Sequence, residues 1–510
     1  MSRRTTPTFI TELPLRVTPK QETTILVRLE FARQLYNACL REALRRLSRL
    51  RQSKSYQSAC YIPKSESHRK ERTKAFAEAR KEFGFREYDL HAYAATIQIG
   101  WIGSSVVQTV ASRAFRAASQ YSFGKRGKPR FKGRGQVDSV EGKQNIVLSW
   151  NGKEVLWGGL TLSAIFPNEH RKGNDVLEHG LNASLKYVRL VRRKLGGKNR
   201  FFVQLVCEGL AYQKPNHTIG EGVVGLDLGP STLAIAAPTA QRAELRQFGS
   251  ELRKDQKKIR VLQRKLDRQR RANNPQNYHE NGTVKQTAKK WVKSSKYQDT
   301  QNRLSELYRK LAAHRKSLHG QLVNHVFSLG NDIQLEKLSY RAFQRIYGKS
   351  IGMRAPGMFV SLLKRKAASA GVLVTEFPTR TTKLSQVCLC GQVKKKSLSD
   401  RWHICDCGVV AQRDLFSAFL ASCVEEEKLN AELAKKFWSS GMDACLRAAL
   451  SDIQPAIGGE FPATFGLNRS QSGSPVEVCV RSGNGRGVVA SESQRREPGK
   501  ACSNRRTPRR

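Results

Sequence analysis

The sequence predicts a multidomain α+β protein: a β-rich amino-terminal platform interrupted by helices, then a mixed α/β half with a small cysteine ribbon set into it. Three observations predict it. Alternating apolar strands flank a Gly-Gly turn within 186–209, long helical stripes interrupt and follow that region, and four cysteines crowd into 388–407. A length of 510 residues is enough for two or three domains with substantial cores, which excludes a single small binding module. Lys and Arg number 91 against 42 Asp and Glu, a formal net charge of +49. Such an excess is self-repelling in a compact chain unless a polyanion neutralises it, and nucleic acid is the obvious one. With 39% hydrophobic residues the chain reads as a folded machine and not as a basic tail. No run approaches the ~18 apolar residues of a membrane span and the start has no signal-like apolar stretch, so no membrane is expected and the cytoplasm, on the nucleoid, is the expected location.

Taken in order, residues 8–17 (TFITELPLRV) alternate as a strand. A helix follows, with Thr18 as N-cap, Pro19 at the first helical position and Gln21 completing a capping box; Ile25, Leu29, Ala32, Tyr36, Cys39, Leu40 and Ala43 form its apolar stripe. Residues 70–121 read as further helices. FGKRGKPRFKGRG (123–135) then interleaves basic residues with Gly, Pro and two phenylalanines, a composition suited to phosphates or merely to solvent. The stretch 186–209 is a β-hairpin turning at Gly196-Gly197, so residues 1 to about 215 form the platform with its helical insertion. Past a polar linker, 252–271 is helical with Leu252, Ile259, Leu262 and Leu266 on one stripe and ten basic residues against two acidic. An Asn-rich stretch (272–283) breaks it before a second helix through Leu304, Leu307, Leu311, Leu318, Leu322 and Val326. The pair reads as a helical hairpin with a basic outer face, suited to a nucleic-acid channel wall. From 454 the chain is rich in Gly, Ser and Arg without periodicity and is expected to be a disordered basic tail.

Three acidic residues stand out. Asp227 is alone on the apolar strand of GVVGLDLGPSTLAIAAP (222–238), where a carboxylate is costly unless paired, exposed at an edge or metal-bound. Taken singly it could equally cap a turn. Glu336 ends the β-prone run of NDIQLEKLS (331–339), and Asp414 opens a helix in CGVVAQRDLFSAFLA (407–421), where the helix dipole alone would accept a carboxylate. Together they are what a divalent-metal phosphodiesterase needs: hard oxygen ligands for two Mg²⁺ or Mn²⁺ ions about 4 Å apart. Between the last two lies CLCGQVKKKSLSDRWHICDCG (388–408), in which Cys388, Cys390, Cys405 and Cys407 are two C-x-C pairs separated by fourteen residues. Four thiolates suit a structural Zn²⁺ with no open position, and Gly391 and Gly408 suit the knuckle turns. His403 is expected in packing or a polar contact.

The order of these pieces resembles the TnpB family, RNA-guided nucleases of certain bacterial transposons, which is similar to the ancestors of type V CRISPR effectors. GLDLGPSTLAIA, QLEKLS and the Cys-Gly ribbon running into CGVVAQRDLFSAFLA carry the likeness, supported by LEFARQLYNACL and RGKPRFK; it spans roughly residues 8–425. The C-x-C spacing departs from the ordinary C-x-x-C, and the carboxyl tail lies outside the likeness. The resemblance implies a wedge-like β-barrel (1–30 and 122–215) with a helical recognition insertion (31–121), and a RuvC-like domain of RNase H-like fold (216–384 and 409–453, with the basic hairpin at 249–330). A zinc ribbon (385–408) interrupts that domain and the tail (454–510) follows it. It implies an RNA-guided DNA endonuclease whose metals are held by Asp227, Glu336 and Asp414. Its partners would be a guide RNA from the transposon end and a double-stranded DNA target beside a short flanking motif, and a monomer is expected. Lys125, Arg126, Lys128, Arg130, Lys132 and Arg413 are candidates for nucleic-acid contact, and Phe123, Phe131 and Tyr347 for base stacking. The alternatives are a guided repressor that does not cut, a small type V CRISPR effector, and a zinc-ribbon DNA-binding protein without a guide.

Overall fold

The structure, a computed structural model, describes residues 6–97, 101–143, 147–167, 174–287, 290–397, 399–453 and 465–467. Strand β1 (Thr8–Pro14) leads into the 34-residue helix α1 (Pro19–Gln52) through a capping box. The Gln21 N–H donates to the Thr18 hydroxyl at 3.3 Å, and the Thr18 N–H donates to the Gln21 side chain at 2.9 Å. Helices α2 (Lys54–Tyr61), α3 (Arg69–Glu82), α4 (Glu87–Thr96) and α5 (Ser104–Ser122) complete the helical part. Strands β2 (Ser139–Lys143), β3 (Leu148–Trp150), β4 (Glu154–Trp157) and β5 (Leu160–Ser163), helix α6 (Asn174–Asn182) and the long hairpin β6 (Leu185–Leu195) and β7 (Lys198–Glu208) complete the platform.

The expected barrel is not closed. Among the described residues the platform is two sheets, β1-β7-β6-β2 and β3-β4-β5, and no ladder joins β2 to β3. A backbone bridge links them at Leu15–Ala164, where Arg16 N–H donates to Ser163 O at 2.9 Å and Ile165 N–H to Pro14 O at 2.8 Å. Helices do the rest of the covering: Ile25, Leu29 and Ala32 of α1 and Val106 and Val110 of α5 share one buried core with Val140, Val155, Val188 and Val203. Apolar surface that a closed barrel would bury against itself is buried here against helices. Arg28 pins α1 down, its guanidinium 5.0 Å from the Trp157 ring and donating to the Trp157 and Gly158 carbonyls.

The second half is built on a five-stranded sheet in the order β10-β9-β8-β11-β12. Strands β8 (Val223–Leu228), β9 (Thr232–Ala237) and β10 (Arg242–Gln247) form an antiparallel meander. The basic helices α7 (Gln256–Asn273) and α8 (Ser295–Leu329) intervene before β11 (Asp332–Glu336), which pairs parallel with β8. Then come α9 (Tyr340–Arg354), α10 (Pro356–Ala370) and β12 (Leu373–Phe377), which pairs parallel with β11. The ribbon follows a short helix, α11 (Thr379–Thr382); its strands β13 (Trp402–Ile404) and β14 (Val410–Gln412) lead directly into α12 (Arg413–Ala421), and α13 (Ala431–Phe437) and α14 (Asp443–Ser451) follow. Alternation along β8 and β9 splits the sheet into two faces: Val224, Leu226 and Leu228 pack toward α8 and α10, while Ala234 and Ala236 pack toward α12 and α14.

The Asn-rich break between α7 and α8 is ordered. Asn274, fully buried, accepts from Val292 N–H at 2.6 Å and donates to Val292 O at 3.0 Å, and Asn277 donates to Lys290 O at 2.6 Å, so side-chain amides take the place of a ladder.

His319 of α8 is buried, stacked 5.2 Å from Phe248 and edge-on to Phe359, and burial pushes its pKa down to about 4. A histidine whose folded pKa is depressed contributes stability above its ordinary pKa and loses it as pH falls toward the folded value. We therefore expect the parent chain to lose about 2 kcal/mol more between pH 7 and pH 5 than His319→Phe does. Unfolding curves at the two pH values check this; parallel losses in both chains would show that His319 is not charged on unfolding in that range.

Candidate metal centres

Strand register brings the first two carboxylates together. Leu335 of β11 lies opposite Leu226 of β8, so the next residues along these parallel strands, Glu336 and Asp227, are neighbours on the same face. That face belongs to α12, and Gly225 is what lets α12 approach. A Cβ there would lie 1.9 Å from the Ala418 carbonyl oxygen, so any other residue would push the helix off the sheet.

Asp414 is delivered by the same contact. Gln412 caps α12, its side chain accepting from Leu415 N–H at 2.8 Å, so Asp414 sits in the first turn, where the helix dipole favours a carboxylate. It is buried, with the Thr232 hydroxyl of β9 3.5 Å from Oδ2. Ser417, one turn further on, favours the ionised form of Asp227. Burial, then the charges of Asp414 and Glu336, hold the Asp227 carboxyl well above the usual carboxylate range, with Arg413 and Ser417 opposing. Burial pushes Glu336 up to about 7. Three acidic groups are thus placed so that two resist ionising unless a cation joins them, which is the electrostatic condition for a divalent-metal site.

Arg413, a candidate for substrate contact or for a helix-surface role, has partners within the protein. It donates to the Ser397 and Asp400 carbonyls at 3.2 and 2.6 Å and to Asp414 Oδ1 at 3.2 Å. The arginine that sequence reasoning missed is Arg401: its guanidinium stands 3.9 Å from Asp414 Oδ2, and its carbonyl accepts from Arg413 N–H at 2.8 Å. Nothing in the local pattern marks it, because the approach depends on how the ribbon folds back on α12.

The four ribbon cysteines converge. Their sulfurs all lie within 4.8 Å of one another, with Cys388 and Cys407 3.5 Å apart and Cys390 and Cys405 3.6 Å apart. Zinc–thiolate bonds of about 2.3 Å in a tetrahedron place sulfurs about 3.8 Å apart, so the donor set fits zinc. The C-x-C spacing does not spoil the turns. Each pair forms the same knuckle, with Gly391 N–H donating to Cys388 O and Gly408 N–H to Cys405 O, both at 3.0 Å. Gly391 and Gly408 adopt φ of 84° and 91°, the left-handed region in which glycine is unstrained. The Cys407 N–H brings the Cys405 thiol down to about 7, while burial pushes Cys388 up. His403 is no ligand: its ring packs 4.4 Å from Phe416 and its Nδ1 meets the Lys396 ammonium. Among the described residues these thiols are the one group of three or more such donors converging that tightly; the three carboxylates are spread more widely.

In the basic segment Lys125, Arg126, Lys128 and Arg130 are exposed, as are Phe123 and Phe131. Lys132 is half-buried: its ammonium lies 4.6 Å from the Tyr36 ring, and its backbone exchanges 2.8 Å hydrogen bonds with the Asn37 side chain. Tyr347 is half-buried at a kink in α9. A basic cleft of about 950 Å³ separates β1 and β7 from α8 and α10, lined by Arg193, Lys214, Lys316, Arg365 and Lys366 among others.

No curated protein matches this chain. Among solved structures, one described as the cryo-EM structure of the Cas12f1-sgRNA-target DNA complex is similar at a TM-score of 0.46 and 12% identity, covering 82% of this chain and 99% of that one. Another, the cryo-EM structure of a CRISPR-Cas12f ternary complex, gives a TM-score of 0.23 and 13% identity over 79% of this chain and 82% of that one. Residues 357–420, from α10 through the ribbon to Asp414 and α12, match the family model for the Cas12f1-like TNB domain.

Proposed function

We propose that this protein is an RNA-guided DNA endonuclease of the TnpB and type V class, cutting with Asp227, Glu336 and Asp414. The observation that carries the reading is the register of β8 against β11, with α12 seated on Gly225, which gathers three carboxylates from distant parts of the chain on one sheet face. The match of 357–420 to the Cas12f1-like TNB domain supports the class, since that segment contains both the ribbon and Asp414.

Asp227, Glu336 and Asp414 would hold Mg²⁺ or Mn²⁺; when bound, such ions supply an activated water and stabilise the leaving oxygen. The remaining parts are protein chemistry. Ser417 favours the ionised Asp227 carboxyl, and Arg413 braces Asp414 against the ribbon. Arg401, facing Asp414 with its side chain a quarter exposed, is the group to meet the scissile phosphate. Cys388, Cys390, Cys405 and Cys407 would hold a structural Zn²⁺. The basic cleft and the exposed Lys125, Arg126, Lys128 and Arg130 suit RNA and heteroduplex phosphates, while base pairing supplies sequence choice. The guide would derive from a transposon end, and the protein would act as a monomer on nucleoid DNA in the cytoplasm.

The test is cleavage of a plasmid library carrying one target beside randomised flanking bases, with protein copurified with its RNA, in Mg²⁺. Cutting that requires the RNA and selects a flanking motif is the expected result. Guide-dependent binding without cutting would establish the repressor, and activity indifferent to RNA would overturn the guided reading.

A further inference from the structure

Beyond α14 three residues return to the ribbon. Phe465 is 3% exposed and joins the core that contains Leu389, Val409, Ala411 and Phe416. The next carbonyl, Gly466 O, accepts from the Trp402 indole N–H at 3.3 Å, and Leu467 packs beside the same core. Gly466 has φ of 72°, and a Cβ on it would lie 2.4 Å from Arg401 Cβ and 3.0 Å from Arg401 Cγ. The position thus excludes a side chain twice over, by backbone strain and by contact. Arg401 is gripped between two backbones: Gly466 touches its side-chain stem on one side, and Arg413 N–H holds its carbonyl on the other. Its guanidinium faces Asp414.

We propose that Phe465, Gly466 and Leu467 form a carboxy-terminal clasp that, on the nuclease reading above, positions Arg401 opposite Asp414. Phe465 is the anchor, and Trp402 registers the clasp by its indole hydrogen bond. Gly466 then brings the backbone flush against the Arg401 stem, which limits the paths the guanidinium can take. Arg401 is short of partners that would otherwise fix it, since Asp414 at 3.9 Å is its one described ion pair. The part of the chain whose composition reads as a tail therefore contributes to the geometry of the site.

The experiment uses the full chain with its RNA. Gly466→Val and Phe465→Ala should slow cleavage about tenfold or more, as displacement of a group at a reacting centre does, while target binding is unchanged. Phe465→Leu, which refills the anchor pocket, should recover most of the rate. In an Arg401→Ala background Gly466→Val should have no further effect, because both changes remove the same contribution. Losses that multiply in the double variant, or parent rates in both clasp variants, would overturn the proposal. Hydrogen exchange supplies a readout independent of cutting: the Arg413 amide, bonded to Arg401 O, should exchange faster in Gly466→Val. If the parent cuts no DNA yet this amide is released, the clasp stands and the nuclease reading falls. Unchanged exchange sinks the clasp whatever the activity.

Discussion

Asp227→Asn should reduce guided cleavage by roughly 10³-fold or more and leave target binding at the parent level, because a ligand oxygen with its charge is lost from a centre that stabilises the transition state by several kcal/mol. The same change should stabilise the metal-free protein. Asp227 is held above its ordinary pKa by burial and by Asp414 and Glu336. A carboxyl raised in this way contributes stability below its unfolded pKa and loses it as pH rises through the folded one. At pH 8 without Mg²⁺ the folded chain therefore bears the cost of a carboxyl that resists ionising, a cost that asparagine, nearly the same shape, does not carry. The melting temperature of the Asp227→Asn chain should exceed that of the parent under those conditions, and the gap should narrow on acidification. Mg²⁺ should raise the parent and barely move the variant. If the parent is instead the more stable chain without metal, Asp227 is a structural carboxylate capping a turn, and the activity loss needs no metal to explain it.

That prediction depends on a juxtaposition only half visible in the sequence. The strand carrying Asp227, the run ending at Glu336 and the helix opening at Asp414 are all readable, because apolar periodicity and capping are local signals. So were the Thr18 capping box and the hairpin at Gly196-Gly197. What was not legible is whatever depends on which surfaces meet. Gly225 looks like any strand glycine until α12 lies on it, and Arg401 looks like a solvated ribbon residue until Arg413 holds its carbonyl. The barrel was inferred from a resemblance, and strand count alone cannot say whether two sheets close on each other or open onto helices such as α1 and α5. Composition located the Asn-rich break but was silent on the burial of Asn274 and Asn277 within it. It was equally silent on Phe465, a single apolar anchor that has no period to detect.

Cys405→Ser should release zinc from the chain, open 385–408 to protease and slow cleavage by about 10²-fold through displacement of Asp414. The ribbon has few apolar residues of its own; Leu389, Val409 and Ala411 are buried, but its lysines and serines are largely exposed, so burial alone holds it weakly. Its stability then rests on the four thiols, and chain connectivity makes this a matter for the site. Strand β14 runs into α12 without a loop, and Arg413 ties Asp414 to the Ser397 and Asp400 carbonyls. Loosening the knuckles frees those carbonyls, and with them the brace on Asp414, while the five-stranded sheet keeps its core. Circular dichroism of the variant should accordingly stay near the parent while zinc content and cleavage fall together. A competing account of sulfurs 3.5 and 3.6 Å apart is two disulfides, Cys388 with Cys407 and Cys390 with Cys405. The two accounts diverge on treatment. A strong chelator should open the ribbon and a mild reductant leave it intact if zinc holds it, and the reverse pattern would assign the ribbon to disulfides and remove zinc from the protein.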